Sequence, residues 1–171
     1  MAHRFIVGET PSEALEALRS GWKHGIASSL DLLGETTATV AEAEVYAARC
    51  REALQTLADD AAGWPELPVL ERDSSGPIPR ANVSVKVSAL TPLMRPEAPE
   101  LGREDAATRL RPLLRTARGL GAHLHVDVES LDTLEATHEL VFELLSEEEF
   151  HDGPSAGLVL QAYLREAERH L

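Results

Sequence analysis

The stretch ANVSVKVSAL (residues 81–90) alternates without a break. As a β-strand it carries Asn82, Ser84, Lys86 and Ser88 on one face and Val83, Val85 and Val87 on the other, because successive side chains of a strand point to opposite sides of the sheet. The valines mark a face packed on a core. The lysine on the opposite face poses the question that decides the fold: that face looks either into bulk water or into an enclosed polar space.

Three other segments share this pattern. In AHLHVDV (122–128), His123, His125 and Asp127 oppose Leu124, Val126 and Val128, and the polar face runs on to Glu129. In GLVLQAY (157–163), Gln161 stands with Val159 and Tyr163, opposite Leu158, Leu160 and Ala162. In IASSLDLLGE (26–35), Asp31 shares a face with Ser29.

Helices are expected between these strands. Thr10-Pro11-Ser12-Glu13 forms a capping box with proline at the first helical position, opening a helix that turns Ala14, Leu15, Leu18 and Trp22 inward and ends at Gly25. Thr39-Val40-Ala41-Glu42 is a second capping box, followed by a single buried stripe of Ala43, Ala47, Cys50, Leu54 and Leu57. Residues 63–81, rich in proline and glycine and without a period, read as a long loop inside one domain. A third helix is predicted from about Glu104 to Arg118, with Pro112 in its first turn or bending it. A fourth carries Leu131, Leu134, Val141 and Leu145, and a last one starts at the C-terminus.

Strand and helix thus alternate four times, and helical connections imply parallel neighbours with right-handed crossovers. Parallel strands covered by helices on both faces read as nearly continuous apolar runs; these do not. A sheet with helices on one side and polar groups on the other suits a (βα) barrel whose lumen binds a polar ligand. The expected fold is therefore α/β: the first four βα units of a TIM-type barrel, a half barrel preceded by a helix, in a single domain over residues 1–171. The competing reading of each strand, an antiparallel one with its polar face in water, conflicts with the four helical connections. Asp31, Lys86, Asp127 and Gln161 all fall late in their strands, toward the end where such barrels place their chemistry.

Composition narrows the function. A formal net charge of -13 removes the positive face that a nucleic-acid binder needs. The lone Cys50 allows no intrachain disulfide and fits a reducing cytosol. The opening residues hold no basic start with an apolar run, and no stretch of about 18 apolar residues occurs, so a soluble chain without its own signal or anchor is expected. Two lysines stand against fourteen arginines, which suggests that Lys86 answers a need for a compact point charge.

NVSVKVSAL, HLHVDVES and GLVLQAYL, in this order and spacing, resemble three successive barrel strands of the FAD-dependent proline dehydrogenases, including the proline dehydrogenase part of the bifunctional proline utilization A flavoenzymes. FIVGETPSEAL and SLDLLGE resemble the segment leading into that barrel and its first strand. The resemblance implies FAD as cofactor, oxidation of L-proline to pyrroline-5-carboxylate, and a quinone electron acceptor. It also implies a cytoplasmic protein with peripheral contact at the inner membrane face, in some relatives followed by an aldehyde dehydrogenase module. By position, Lys86 would help hold the proline carboxylate, Asp127 would lie near the flavin and the substrate, Gln161 would hydrogen-bond the isoalloxazine edge, and Asp31 would line the same cavity. Family barrels have eight strands, whereas four are legible here, so an N-terminal fragment or split half is expected, binding flavin weakly or not at all by itself. Such a half leaves strand edges and an apolar flank open to the missing C-terminal barrel half or to self-association.

Two other readings stand beside it. His123 and His125 form an H-x-H that resembles the metal site of amidohydrolase-like barrels, although both fall early in their strand. A non-catalytic half-barrel subunit that completes its lumen with another chain is the non-enzyme alternative. Arg111, Arg115 and Arg118 read as a solvated stripe near a helix end rather than a docking surface, and Glu147-Glu148-Glu149 as a solvated turn. Trp22, Trp64 and Tyr46 are taken as packing residues. Neither a glycine-rich phosphate loop nor a serine nucleophile elbow is present.

Overall fold

The computed structural model describes residues 6–33, 36–165 and 167–170. Gly34 and Glu35, which end the first-strand motif, lie outside them, as do Arg4 and Phe5.

Both N-caps form where the sequence predicts, but only the second closes as a full capping box, since Glu13 bonds the Glu9 N–H instead of that of Thr10. Thr10 caps α1 (Pro11–Lys23), accepting from the Glu13 N–H, and the chain leaves the helix through Gly25 at φ 78°, a left-handed angle that costs glycine nothing. Thr39 and Glu42 cap α2 (Val40–Ala61) reciprocally, and Ala43, Ala47, Cys50, Leu54 and Leu57 are buried along one side. Between these helices lies β1 (Leu30–Asp31).

The long loop has structure of its own: a helical turn, α3 (Pro68–Glu71), and a small hairpin of β2 (Arg72–Asp73) and β3 (Gly76–Pro77). Arg80 fastens it to the body, bonding Glu71 and the carbonyls of Ala61 and Trp64.

The strand expected over 81–90 is shorter than predicted. β4 covers Asn82–Lys86, and the chain then winds into α4 (Val87–Leu90), burying Val87, Ala89 and Leu90. The hydrophobic demand of those three residues overrides the alternating pattern. It also takes Ser88 off the polar face, where its Oγ bonds Glu129 at 2.9 Å.

α5 (Pro99–Leu120) begins more than a turn earlier than predicted, with Pro99 in its first turn, and ends at Gly121, φ 61°. Pro112 therefore sits in the helix interior. A proline there costs about 3 kcal/mol, whereas full burial of one leucine returns roughly 1.5–3 kcal/mol; Leu110, Leu113 and Leu114 are all fully buried on this helix. Packing wins, and the helix continues through the proline.

β5 (His123–Asp127) is followed by a 3-10 turn (Leu131–Thr133) and α6 (Leu134–Leu145). Leu131, expected on the inner stripe, belongs to that turn and is exposed. β6 spans Ser155–Leu158, two residues upstream of its expected start at Gly157. Val159 still donates to the Val126 carbonyl, but Gln161 and Tyr163 lie beyond the strand, and a 3-10 turn (Ala167–His170) follows.

The four principal strands form one sheet in the order β1-β4-β5-β6, every pair parallel. Neighbours in space are neighbours in sequence, as helical crossovers dictate. Val83, Val85, Leu124 and Val126 are buried to within 1% and join Cys50, Leu54, Leu113 and Leu140 in one core. One sheet face is thus sealed by helices. The other carries the polar residues.

The arginine stripe is solvated as expected at Arg115 and Arg118, and it is also paired. Arg111 pairs with Glu147 at 2.7 Å, Arg115 with Glu149 at 2.7 Å, and Arg118 donates to the Glu149 carbonyl. The glutamate run is thereby held as a 3-10 turn (Glu148–Phe150) over buried Phe150. No helix among the described residues is long and apolar enough to cross a membrane.

Candidate functional site

The parallel register builds the site. Asp31 lies opposite Ser84, and Lys86 opposite Asp127. Asp31, Lys86 and Asp127 are each the last residue of their strand, so three charged groups stand at one end of the polar face. The Lys86 ammonium is 2.6 Å from Asp31 Oδ1 and 3.8 Å from Asp127 Oδ2. Its side chain is only 8% exposed, whereas those of Asp31 and Asp127 are 47% and 32% exposed. The lysine predicted to point inward does so, and both carboxylates meet it.

One cation between two carboxylates leaves the cluster with an excess negative charge. Asp127 spends its other oxygen on the Val128 N–H at 2.8 Å, which fixes its orientation. Asp31 has no such second bond among the described residues and reaches the ammonium from the open edge of the sheet.

Gln161 differs from its expected placement. It leaves the end of β6 and folds back, donating from Nε2 to the Val128 carbonyl at 3.0 Å and accepting from the Tyr163 hydroxyl at 3.3 Å. It shares the strand-end side of the sheet with the charged trio without touching it.

The opposite end of the same face is uncharged. Ser29 donates to the Asn82 side-chain carbonyl at 2.9 Å, and His123 Nδ1 pairs with Ser155 Oγ at 2.8 Å. The His123 and His125 rings stack with centroids 5.9 Å apart. Gly157 makes room for them, since a Cβ there would come within 2.5 Å of His125 Nδ1. Burial, and secondarily the neighbouring His125, lowers the His123 pKa below the ordinary imidazole value. Among the described residues no group of three or more His, Cys, Asp or Glu could hold a metal ion.

One contributor was missed. Tyr46, read as packing, is buried on α2 and its hydroxyl accepts a hydrogen bond from the Lys86 backbone N–H at 3.1 Å. Its spacing, three after Ala43 and four before Cys50, places it on the buried stripe. A polar tip on that stripe was the available signal.

The chain is similar to known proteins over nearly its whole length. The chain is 29% identical over 163 residues to the bifunctional protein PutA of Klebsiella aerogenes, covering 95% of this chain and 12% of that protein. It is 25% identical over 166 residues to proline dehydrogenase 1 of Bacillus subtilis (strain 168), covering 97% of this chain and 45% of that protein. The chain therefore spans less than half the length of these curated relatives. Among solved structures, proline utilization A (PutA) from Bdellovibrio bacteriovorus inactivated by N-propargylglycine superposes with a TM-score of 0.93 at 36% identity, over 98% of this chain and 18% of that one. The α/β arrangement of parallel strands and helices is thus that of the TIM-like barrel domain of PutA. The proline dehydrogenase family model matches residues 14–171, which takes in every principal strand and helix but the first turn of α1, and the chain belongs to the proline dehydrogenase family.

Proposed function

We propose that this chain supplies the first four βα units of a flavin-dependent barrel that oxidises L-proline to pyrroline-5-carboxylate, and that the rest of the lumen comes from a further segment or another chain. The observation that carries this reading is the Lys86 ammonium, 92% buried at a strand end and braced by Asp31 and Asp127, in a chain of the proline dehydrogenase family.

Lys86 offers a compact cation to the substrate carboxylate, and its low exposure lets that charge act with little screening by water. Asp31 and Asp127 keep the ammonium aimed across the strand ends. Their excess negative charge favours the ammonium group of a zwitterion such as proline over a simple anion. The strand-end face excludes water better at Lys86 than at Asp31, so the dry part of the site is the part that meets the substrate.

The residues present fit the ring of FAD. Gln161 has both a donor and an acceptor near the mouth, and one of its amide hydrogens is left after the bond to Val128. The diphosphate finds less here, since the strand ends present carboxylates and a lysine already paired, so its cations come from the remainder of the barrel. Bound FAD would accept a hydride from the carbon next to the proline nitrogen and pass electrons to a quinone. Gln161 would hold the ring edge; Lys86, Asp31 and Asp127 would hold and orient proline.

The open sides of the half barrel support the need for a completing partner. Ile6, Val7 and Leu33 are exposed along the β1 edge, beside a cavity of about 370 Å³.

Absorbance between the flavin bands and L-proline-dependent reduction of a dye acceptor test the reading, on this chain alone and on the chain joined to a complementary barrel half from a relative. Flavin binding and turnover are expected with the complement and little of either without it. Robust turnover by the chain alone would refute the half-barrel assignment. A complemented, flavin-loaded barrel indifferent to proline would refute the substrate.

A further inference from the structure

Lys86 occupies an awkward position in the backbone. It ends β4 and caps α4, so it lies where the chain changes from extended to helical geometry. Its own N–H falls on the same side of β4 as that of Ser84, since alternate residues of a strand direct their N–H groups to the same side. Ser84 lies opposite Asp31, the last residue of β1. By the level of Lys86, β1 has ended, and among the described residues no strand remains there to accept the bond. A buried N–H without a partner is costly enough that native chains rarely leave one.

Tyr46 fills the gap. Its hydroxyl, carried in from α2, accepts from the Lys86 N–H at 3.1 Å, and the residue is 5% exposed. Burial pushes the phenol pKa far up, so it stays a neutral acceptor at any ordinary pH. The Cys50 thiol, one turn further along the same helix face, is raised by burial to about 12 and is likewise uncharged. The backbone of the site's one buried ammonium is therefore anchored to the helix layer by a single hydroxyl, from the side opposite the lumen.

We infer that Tyr46 is a positioning residue for Lys86: its hydroxyl stands in for the missing β1 backbone acceptor and fixes the height at which the ammonium meets Asp31 and Asp127. The inference rests on the reading of Lys86 as the substrate-facing cation only for its consequence in catalysis. The geometric claim stands on the backbone.

The chain has two lysines, Lys86 and the exposed Lys23, which allows a direct test without cofactor or substrate. The full chain is trace-labelled with acetic anhydride across a pH series, and the Lys86 to Lys23 ratio is read by peptide mass spectrometry. Tyr46→Phe removes one oxygen and keeps the ring. It is expected to raise the relative labelling of Lys86 severalfold and to shift its pH profile, because the ammonium loses its register with the two carboxylates. Leu54→Ala, a buried truncation two turns further along the same helix, should lower the melting temperature yet leave that ratio and profile unchanged. An unaltered ratio in Tyr46→Phe would overturn the inference, as would an equal rise in Leu54→Ala, which would mean general loosening. Should Tyr46→Phe not fold, amide exchange in the unmodified chain decides: a Lys86 N–H as protected as that of Val85 supports the anchor, and rapid exchange refutes it. Failure of proline turnover with an intact labelling effect would refute the proposed activity and leave Tyr46 in its role.

Discussion

The two ends of the polar sheet face are built from similar strands and do different things. At the N-terminal end, Ser29, Asn82, His123 and Ser155 satisfy one another in neutral pairs. At the C-terminal end, Lys86 stands between Asp31 and Asp127. The first arrangement spends its hydrogen bonds internally and asks nothing of a ligand. The second holds a desolvated cation with two partly exposed carboxylates, and a charge kept that dry is expensive unless it has work to do. Position along the strand, more than polarity, separates floor from site.

The sharpest way to break this contrast is at Lys86. Lys86→Met should reduce proline-dependent dye reduction by the complemented barrel roughly 10²–10³-fold in kcat/KM, the cost of removing a preorganised charge from a reacting site, about 2.7–4 kcal/mol. Folding should change by less than about 1 kcal/mol, because Asp31 and Asp127 are exposed enough to return to water. A large activity loss with an unchanged melt separates site from scaffold; a collapse of the fold would merge them.

Arg109 supplies the converse case. It is 6% exposed on α5 and bonds Glu44 of α2 at 2.8 Å, Asp105 at 2.9 Å and the Leu90 carbonyl at 3.1 Å, so it ties three helices together behind the sheet. Arg109→Ala should lower stability by roughly 1–3 kcal/mol, the cost of leaving the buried Leu90 carbonyl without its donor while Glu44 returns to water, as measured by urea unfolding. Whatever protein stays folded should keep its activity. Thr39→Ala removes half of the capping box of α2 and should cost about 1 kcal/mol, again without touching turnover.

Much of this was legible beforehand, and the misses share a cause. Both helix N-caps, the parallel order and the convergence of Asp31, Lys86 and Asp127 follow from local signals and strand periodicity. The early end of β4 does not, because Val87, Ala89 and Leu90 are apolar under either period and only the surrounding core decides between them. Pro112 misled for a related reason: propensity argues locally, while Leu110, Leu113 and Leu114 are buried by tertiary packing. Arg111, Arg115 and Arg118 were invisible as clamps, since their partners lie more than thirty residues away. Gln161 was assigned to a strand that ends before it, which changed its contacts more than its side of the sheet.

The smallest expected effect probes the neutral end. Burial and His125 hold the His123 pKa below the ordinary imidazole value, so in the folded chain His123 gives up its proton at a lower pH than in the unfolded chain. Between the lowered value and about 6.5, the unfolded state binds more protons, and stability rises with pH through that window. The contribution is complete above the unfolded value and is lost as pH falls below it. The carboxylates of Glu147 and Glu149, held low by Arg111 and Arg115, lose their share only further down, below the ordinary glutamate range, so the two effects separate. His123→Asn should flatten the melting temperature between about pH 7 and pH 5.5 while leaving the fall at lower pH in place. An unchanged slope in that variant would mean that the imidazole is as well solvated folded as unfolded, and the closed floor of the sheet would then have to be given up.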